Sequence, residues 1–398
     1  MLIKPNTVPF NYAQCCTRGL TLTRVAWRQT STSYSLKVLP RSIINIKQSV
    51  RSASQSTLLN QVARNRLNMP TEILIFGAGA IGAFYGSRLA VNDDVNVSVV
   101  CRSNYKAVKA NGFSIESSQY GNYKWTPKMT FPNPSEAQKA GVKWDYVVVS
   151  TKALPDVSDD SKLLEGLISD GTAILLIQNG LGVEEPYRQR FPNAIVLSAV
   201  TIASAAQPEH GHIKHNRWTR INSGPYPSDE QEATKKNELF NQLLVKAGIK
   251  DASAYSAQKL QLLRWHKIAI NAAMNPSSVL SGGSDNASMA STPEMYEHLK
   301  GVMDEVFSVA PKVTGESFPK EFASAEAILN STKKNPSGSK PSMQLDWEGG
   351  KRMELEVIMG NPIRLAKEKG LDMPRLQTMY ALLKTAQARR EATSNPKI

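Results

Sequence analysis

The stretch TEILIFGAGAIGAFYGSRLA, residues 71–90, holds three signals in a fixed order. Ile73, Leu74, Ile75 and Phe76 form an unbroken apolar run, as expected of a strand covered on both faces of a parallel sheet. Gly77-Ala78-Gly79-Ala80-Ile81-Gly82 follows, and then a helix start. In such a turn the first glycine permits the tight bend, and the second lets backbone approach a pyrophosphate. The third lets helix and strand pack closely. N–H groups at the helix start would face the phosphates at the favourable end of the helix dipole. An ordinary glycine-rich loop lacks this order of strand, glycines and helix, so residues 77–82 read as a dinucleotide-binding turn.

Working outward, the 398 residues suffice for two domains and an extension, and 41% are hydrophobic, enough for a sizeable core. The formal charge of +14 is unevenly spread. Residues 1–70 contain ten Lys and Arg and no acid, the first being Glu72, which leaves 38 basic and 34 acidic side chains for the rest. A Ser/Thr-rich, acid-free basic segment matches an organellar transit peptide, so a soluble protein of the mitochondrial matrix is expected. The near balance beyond residue 70 argues against nucleic-acid binding. No run reaches the roughly 18 apolar residues of a membrane span. With Cys15 and Cys16 in the presequence, Cys101 stands alone in the folded part, which excludes a disulfide framework.

Further strands are expected at 95–101, 145–150, 172–177 and 194–199, with a small hairpin within 113–131. The second strand ends in Arg102-Ser103-Asn104, with Lys106 close by and no acid to bind a ribose 2′-hydroxyl. Arg102 suits a 2′-phosphate, which favours NADPH over NADH. Gly77, Arg102, Lys152 and Asn179 all fall at carboxyl ends of strands, where doubly wound sheets bind ligands. His210, His212 and His215 fit an alternating strand of a hairpin better than a metal site, since no carboxylate or thiol set accompanies them. After Asp251 the pattern is helical. The organisation expected is an α/β chain: a presequence over 1–70, a Rossmann-type doubly wound parallel sheet over 71–255, and a mostly α-helical domain over 256–398. Pro341-Ser342-Met343 opens one helix, with Ser342 as N-cap.

In WHKIAINAAMNP, residues 265–276, the side chains of Lys267, Asn271 and Asn275 recur every fourth position and share one helix face. The rest of that helix is largely apolar. A lysine between two amides on such a face needs partners, which a structural network or an active site would supply equally well.

Taken together, GAGAIG, STKA at 150–153, QNGLG at 178–182, WHKIAINAAMNP and SMQLDWEGGKRMELE at 342–356 resemble the ketopantoate reductase (2-dehydropantoate 2-reductase) family. The likeness runs from Thr71 to about Lys369. It implies an NADPH-dependent reduction of a 2-oxo acid, ketopantoate to pantoate, within pantothenate and coenzyme A synthesis. It assigns Lys267 as the general acid and Glu354 as the active-site glutamate. Asn271, Asn275, Ser342 and Lys152 become substrate-binding residues. The turn at 77–82 (Gly77, Ala78, Gly79, Ala80, Ile81, Gly82) becomes cofactor-binding, together with Arg102, Lys152 and Asn179. Pro155, Met353 and Met359-Gly360-Asn361-Pro362 depart from the family's usual residues and bear on which 2-oxo acid fits. A homodimer is compatible with these features. The contrasting readings are a reductase of another 2-oxo acid on the same fold and a non-catalytic mitochondrial binding or expression factor that reuses it.

Overall fold

The computed structural model describes residues 69–335 and 338–394. The presequence expected over 1–70 lies, but for its last two residues, outside the described residues. The apolar run at the start of the glycine stretch forms β1 (Thr71–Phe76), whose last four residues are buried. It leads through the turn into α1 (Ala80–Leu89). Helix α1 begins before the third glycine, so Gly82 lies in its first turn. Gly77 has φ +101°, open to glycine at little cost. A Cβ on Gly82 would lie 2.3 Å from Ser150 Oγ and 2.4 Å from the Gly77 carbonyl oxygen. The close helix–strand packing read from the third glycine is therefore present.

The remaining strands are β2 (Val95–Val100), the hairpin β3 (Phe113–Ser117) and β4 (Gly121–Trp125), β5 (Thr130–Phe131), β6 (Tyr146–Val149), β7 (Ala173–Leu176), β8 (Ile195–Glu209), β9 (His212–Tyr226) and β10 (Ala252–Ala254). They make one sheet in the order β4-β3-β9-β8-β7-β6-β1-β2-β5, with β10 beside β9. From β8 to β5 every neighbour is parallel. The sheet as a whole is mixed, because β8 and β9 pair antiparallel as a long hairpin and β3 with β4 as a short one. Strand β8 runs ten residues past the expected end at Ala199. Its distal half is held by the ladder to β9, and only its first half is buried in the core.

Helices α2 (Tyr105–Asn111), α3 (Pro134–Lys139), α4 (Glu185–Arg190) and α5 (Gln231–Lys246) accompany the sheet. Ile73, Ile75, Val97, Val99 and Val148 face one apolar cluster, whereas Leu74, Phe76, Val147, Val149 and Ile174 face another. That is the period-two alternation of strands buried on both faces. From Ala257 every described element is helical. These are α6 (Ala257–Leu280), α7 (Asn286–Ser291), α8 (Pro293–Thr314), α9 (Ala325–Lys333), α10 (Ser342–Glu348), a π-helical turn (Glu356–Gly360), α11 (Asn361–Glu368) and α12 (Pro374–Ser394). They enclose a third core of Ile268, Ala272, Leu299, Val302, Val306, Ile358 and Leu376, among others. At α10 the expectation needs correction. Pro341 holds the N-cap position and Ser342 is the first helical residue, so the Ser342 hydroxyl caps nothing.

Of the three histidines, His215 is buried and structural. His215 stacks on Phe84 with ring centroids 4.2 Å apart and bonds Ser117 Oγ at 2.8 Å. Among the described residues, no group of His, Cys, Asp and Glu is placed to hold a metal ion, and no helix is long and apolar enough to cross a membrane.

Replacing Gly82 by valine should lower folding stability by about 1–3 kcal/mol, because the added atoms meet backbone and a short hydroxyl side chain that cannot retreat. Denaturant titration measures this. An unchanged midpoint would mean that α1 is free to slide off β1.

Candidate active site

The turn after β1 presents backbone toward open space. The first helical bond of α1 runs from the Ala83 N–H to the Gly79 carbonyl at 2.9 Å. Ala80, Ile81 and Gly82 therefore have no acceptor within the helix. A Cβ on Gly79 would meet nothing within 4 Å, so an anion can approach the backbone there. The buried Asn104 amide holds the turn by donating to the Ala78 carbonyl at 2.8 Å, a role its sequence position did not reveal. Arg102 is exposed at the end of β2. It has an unforeseen neighbour in Asp160, 3.9 Å away, whose other carboxylate oxygen accepts the Thr151 hydroxyl at 2.7 Å.

Helix α6 brings the lysine to the end of β7. Lys267 Nζ donates to Asn179 Oδ1 and to the Thr201 carbonyl, each at 2.8 Å. Asn179 Nδ2 in turn donates to Glu354 Oε2 at 3.4 Å, and Glu354 Oε1 accepts the Ala153 N–H at 2.9 Å. Lys267, Asn179 and Glu354, separated by up to 175 residues in the chain, thus form one polar line. Asn271, a turn beyond Lys267, lines the same recess with Gln178, Gly180, Val200, Arg264 and Ile268. The recess is about 10 Å³, room for one oxygen-sized group. Asn275 is buried one turn further on and makes no side-chain hydrogen bond among the described residues. Lys152 pairs with Asp346 on α10. Ser342 is exposed at the start of that helix and forms no hydrogen bond with this line. A larger cavity of about 880 Å³ lies between residues 153–161, α4 and the π-helical turn, and shares Gln178 with the recess but neither Lys267 nor Asn271.

Two features escaped the sequence reading. Arg264, one turn before Lys267, is buried. Its Nη1 donates to the carbonyls of Gln178 and Gly180, both at 2.9 Å, and its Nη2 donates to the Ala199 carbonyl at 3.1 Å and to Ser198 Oγ. Its Nε faces Glu184 Oε1 at 3.1 Å. The other feature is the seat of the 178–182 loop. Gly180 has φ +99°, and a Cβ there would lie 2.3 Å from Val357 Cβ. The next N–H, that of Leu181, donates to the Val357 carbonyl at 2.9 Å, and the Leu181 carbonyl accepts Asn361 Nδ2 at 2.6 Å.

Burial dominates the electrostatics. It lowers the Lys267 pKa to about 8, with the Arg264 charge adding to the effect and Glu354 opposing it. Burial also pushes the Glu354 carboxyl above its ordinary range, against the Ala153 N–H, Lys152 and Asn179, which favour its charged form. An ammonium made readily acidic, beside an amide and a carboxylate, is suited to giving a proton to an oxygen that gains negative charge.

Comparisons with known proteins place the chain in a family. The model for "Ketopantoate reductase PanE/ApbA" matches residues 73–228, and that for its C-terminal part matches 259–387. An uncharacterized protein of Saccharomyces cerevisiae is 30% identical over 344 residues, 80% of this chain and 94% of its own. The crystal structure of 2-dehydropantoate 2-reductase from Methylococcus capsulatus superposes with a TM-score of 0.70 at 33% identity, over 80% of this chain and 97% of that one. A D-mandelate dehydrogenase solved with NADH and anilino(oxo)acetate shares the fold, with a TM-score of 0.68 at 19% identity, over 81% of this chain and 99% of that one.

Between about 8 and the ordinary lysine value of 10.5, the unfolded chain retains a proton that folded Lys267 has lost. Stability contributed by this group therefore rises with pH through that window and is lost as pH falls through about 8. The stability of the wild type relative to Lys267→Met should grow accordingly, as read by urea denaturation on either side of the window. A difference independent of pH would mean that Lys267 titrates like an exposed lysine.

Proposed function

The chain belongs to the ketopantoate reductase family, and on that premise we propose that it reduces a short branched 2-oxo acid with NADPH, foremost 2-dehydropantoate to pantoate. The observation that carries this reading is the Lys267 ammonium. Two of its three N–H groups are taken by Asn179 and Thr201, which leaves the third for a ketone oxygen. A bound nicotinamide dinucleotide supplies the hydride to the carbonyl carbon. Lys267 stabilises the alkoxide that forms and transfers its proton to that oxygen, to be reprotonated from solvent. Glu354 holds Asn179, and through it the ammonium, in place. The N–H groups of Ala80, Ile81 and Gly82 bind the pyrophosphate, and Arg102 the 2′-phosphate. Asn179 and Lys152 stand where cofactor and substrate meet, while Asn271, Asn275 and Ser342 orient the substrate's polar groups. The acid-free basic segment over residues 1–70 would direct the protein to the mitochondrial matrix, where pantoate feeds pantothenate and coenzyme A synthesis.

The test is NADPH consumption by the full-length protein with ketopantoate. Turnover should fall by about 10²-fold or more in Lys267→Ala. In the wild type it should decline as pH rises through about 8, because the neutral amine has no proton to give. Arg102→Ala should raise KM for NADPH about tenfold, the equivalent of one lost phosphate contact, and leave KM for NADH alone. Bound NADPH without turnover would turn the search to other 2-oxo acids, and absence of NADPH binding would end the enzyme reading. For the targeting part, residues 1–70 fused to a fluorescent protein should co-localise with a matrix marker; a diffuse cytosolic signal would refute it.

A further inference from the structure

Lys267 owes its position to two acceptors that lie on different segments. Asn179 Oδ1 comes from the loop after β7, and the Thr201 carbonyl from the middle of β8. Neither segment is fixed by Lys267 itself, since an ammonium is a compact donor on a flexible stem. Both segments are gripped by one neighbouring side chain. The Arg264 Nη1 atom holds the carbonyls on either side of Asn179, those of Gln178 and Gly180. The Nη2 atom holds Ser198 Oγ and the Ala199 carbonyl, just before Thr201. On the remaining edge Nε meets Glu184, a carboxylate that also accepts the Ser198 hydroxyl at 2.6 Å and Gln261 Nε2 at 3.2 Å. The planar guanidinium has five donors in fixed directions, which a lysine cannot reproduce.

We propose that Arg264 is the positioning residue of the site: its fork sets the two backbone segments whose acceptors place the Lys267 ammonium. This rests on the reading of Lys267 as proton donor. Arg264 touches no reacting atom and acts through Asn179, Thr201 and Lys267. It has a second effect, since it places a guanidinium three residues before Lys267 on one helix face. The charged groups facing Lys267 are Arg264 on its own helix and Glu354 from the segment before the π-helical turn, and Glu354 itself faces Lys152 and Asp346. Loss of the Arg264 charge leaves Glu354 as the one charged influence on Lys267 among the described residues, which favours the ammonium and makes it a weaker acid.

Two full-length variants separate the contributions. Arg264→Lys keeps the positive charge and loses the fork. Arg264→Met combined with Glu184→Gln removes both charges and so avoids stranding a buried carboxylate. In protein shown to be folded by circular dichroism, Arg264→Lys should lower kcat for ketopantoate reduction by at least about tenfold, with KM for NADPH changed by less than about threefold. Its alkaline limb should stay near that of the wild type. The neutral double variant should lose kcat as well and shift that limb upward by about one pH unit. A variant that melts earlier but keeps wild-type kcat and limb would overturn the proposal, because a merely structural role predicts that result. The titration of Lys267 is also read without substrate, from the 13Cε resonance that vanishes in Lys267→Arg. An upward shift in the double variant would support the proposal even if no 2-oxo acid were turned over, and an unshifted resonance would refute it whatever the substrate.

Discussion

A guanidinium removed from water is the constraint on which the site depends. Arg264 is 2% exposed; its two Nη atoms donate to four oxygens, and Nε lies 3.1 Å from Glu184 Oε1 as an ion pair without a hydrogen bond. Withdrawing a charge from water is unfavourable unless its donors are satisfied, and removing one partner of a buried pair costs about 3–5 kcal/mol. The loop after β7, the middle of β8 and the helix α6 are therefore committed to a single arrangement. Asn179, Thr201 and Lys267 are carried on those three pieces of chain, one on each. Pre-organisation of the polar line is thus a consequence of how the interior satisfies one cation, and the recess needs no strain of its own to hold its shape.

Asn179 explains how two buried charges coexist without touching. A carboxylate in its place would pair with Lys267 and repel Glu354, and a second lysine would do the reverse. An amide offers an oxygen to the ammonium and an N–H to the carboxylate at once. Lys267 keeps one donor for an incoming group, and Glu354 stays anchored by the Ala153 N–H on its far side. The two residues sit at opposite ends of one dipole, and burial drives each toward its neutral form.

What the sequence made legible is what local physics determines. The apolar runs at 73–76 and 146–149 mark strands buried on both faces, and Gly77 and Gly82 supply the positive φ and the close helix packing that their spacing implies, because φ and Cβ clearance are properties of a few adjacent residues. The four-residue spacing of Lys267, Asn271 and Asn275 places them on one helix, as expected. Legibility ends where the partner is remote. Lys267 finds its acceptors 88 and 66 positions away, and Arg264 reaches 86 positions to the Gln178 carbonyl, leaving no periodic trace. Asp160 beside Arg102 and Asp346 beside Lys152 likewise come from other elements. Strand β8 was read too short because residues 202–209 carry no apolar alternation and are held by backbone pairing with β9. Ser342 was misjudged for a local reason: Pro341 has no N–H to give up and already supplies the extended conformation of the N-cap.

The seat of Leu181 bears on how such proteins can diverge. Its N–H and carbonyl are both spoken for by the helical half, through Val357 and Asn361, and the glycine before it lies where any larger residue would strike Val357. Glu354 and Arg264 reach back from the helical half in the same way, to the Ala153 N–H and to three carbonyls. The halves are consequently not interchangeable modules. A helical half transplanted onto a foreign nucleotide-binding sheet would arrive with an unmatched cation and leave main-chain acceptors empty. Exchanging either half would therefore call for matching substitutions around Leu181, Ala153 and the carbonyls that Arg264 binds.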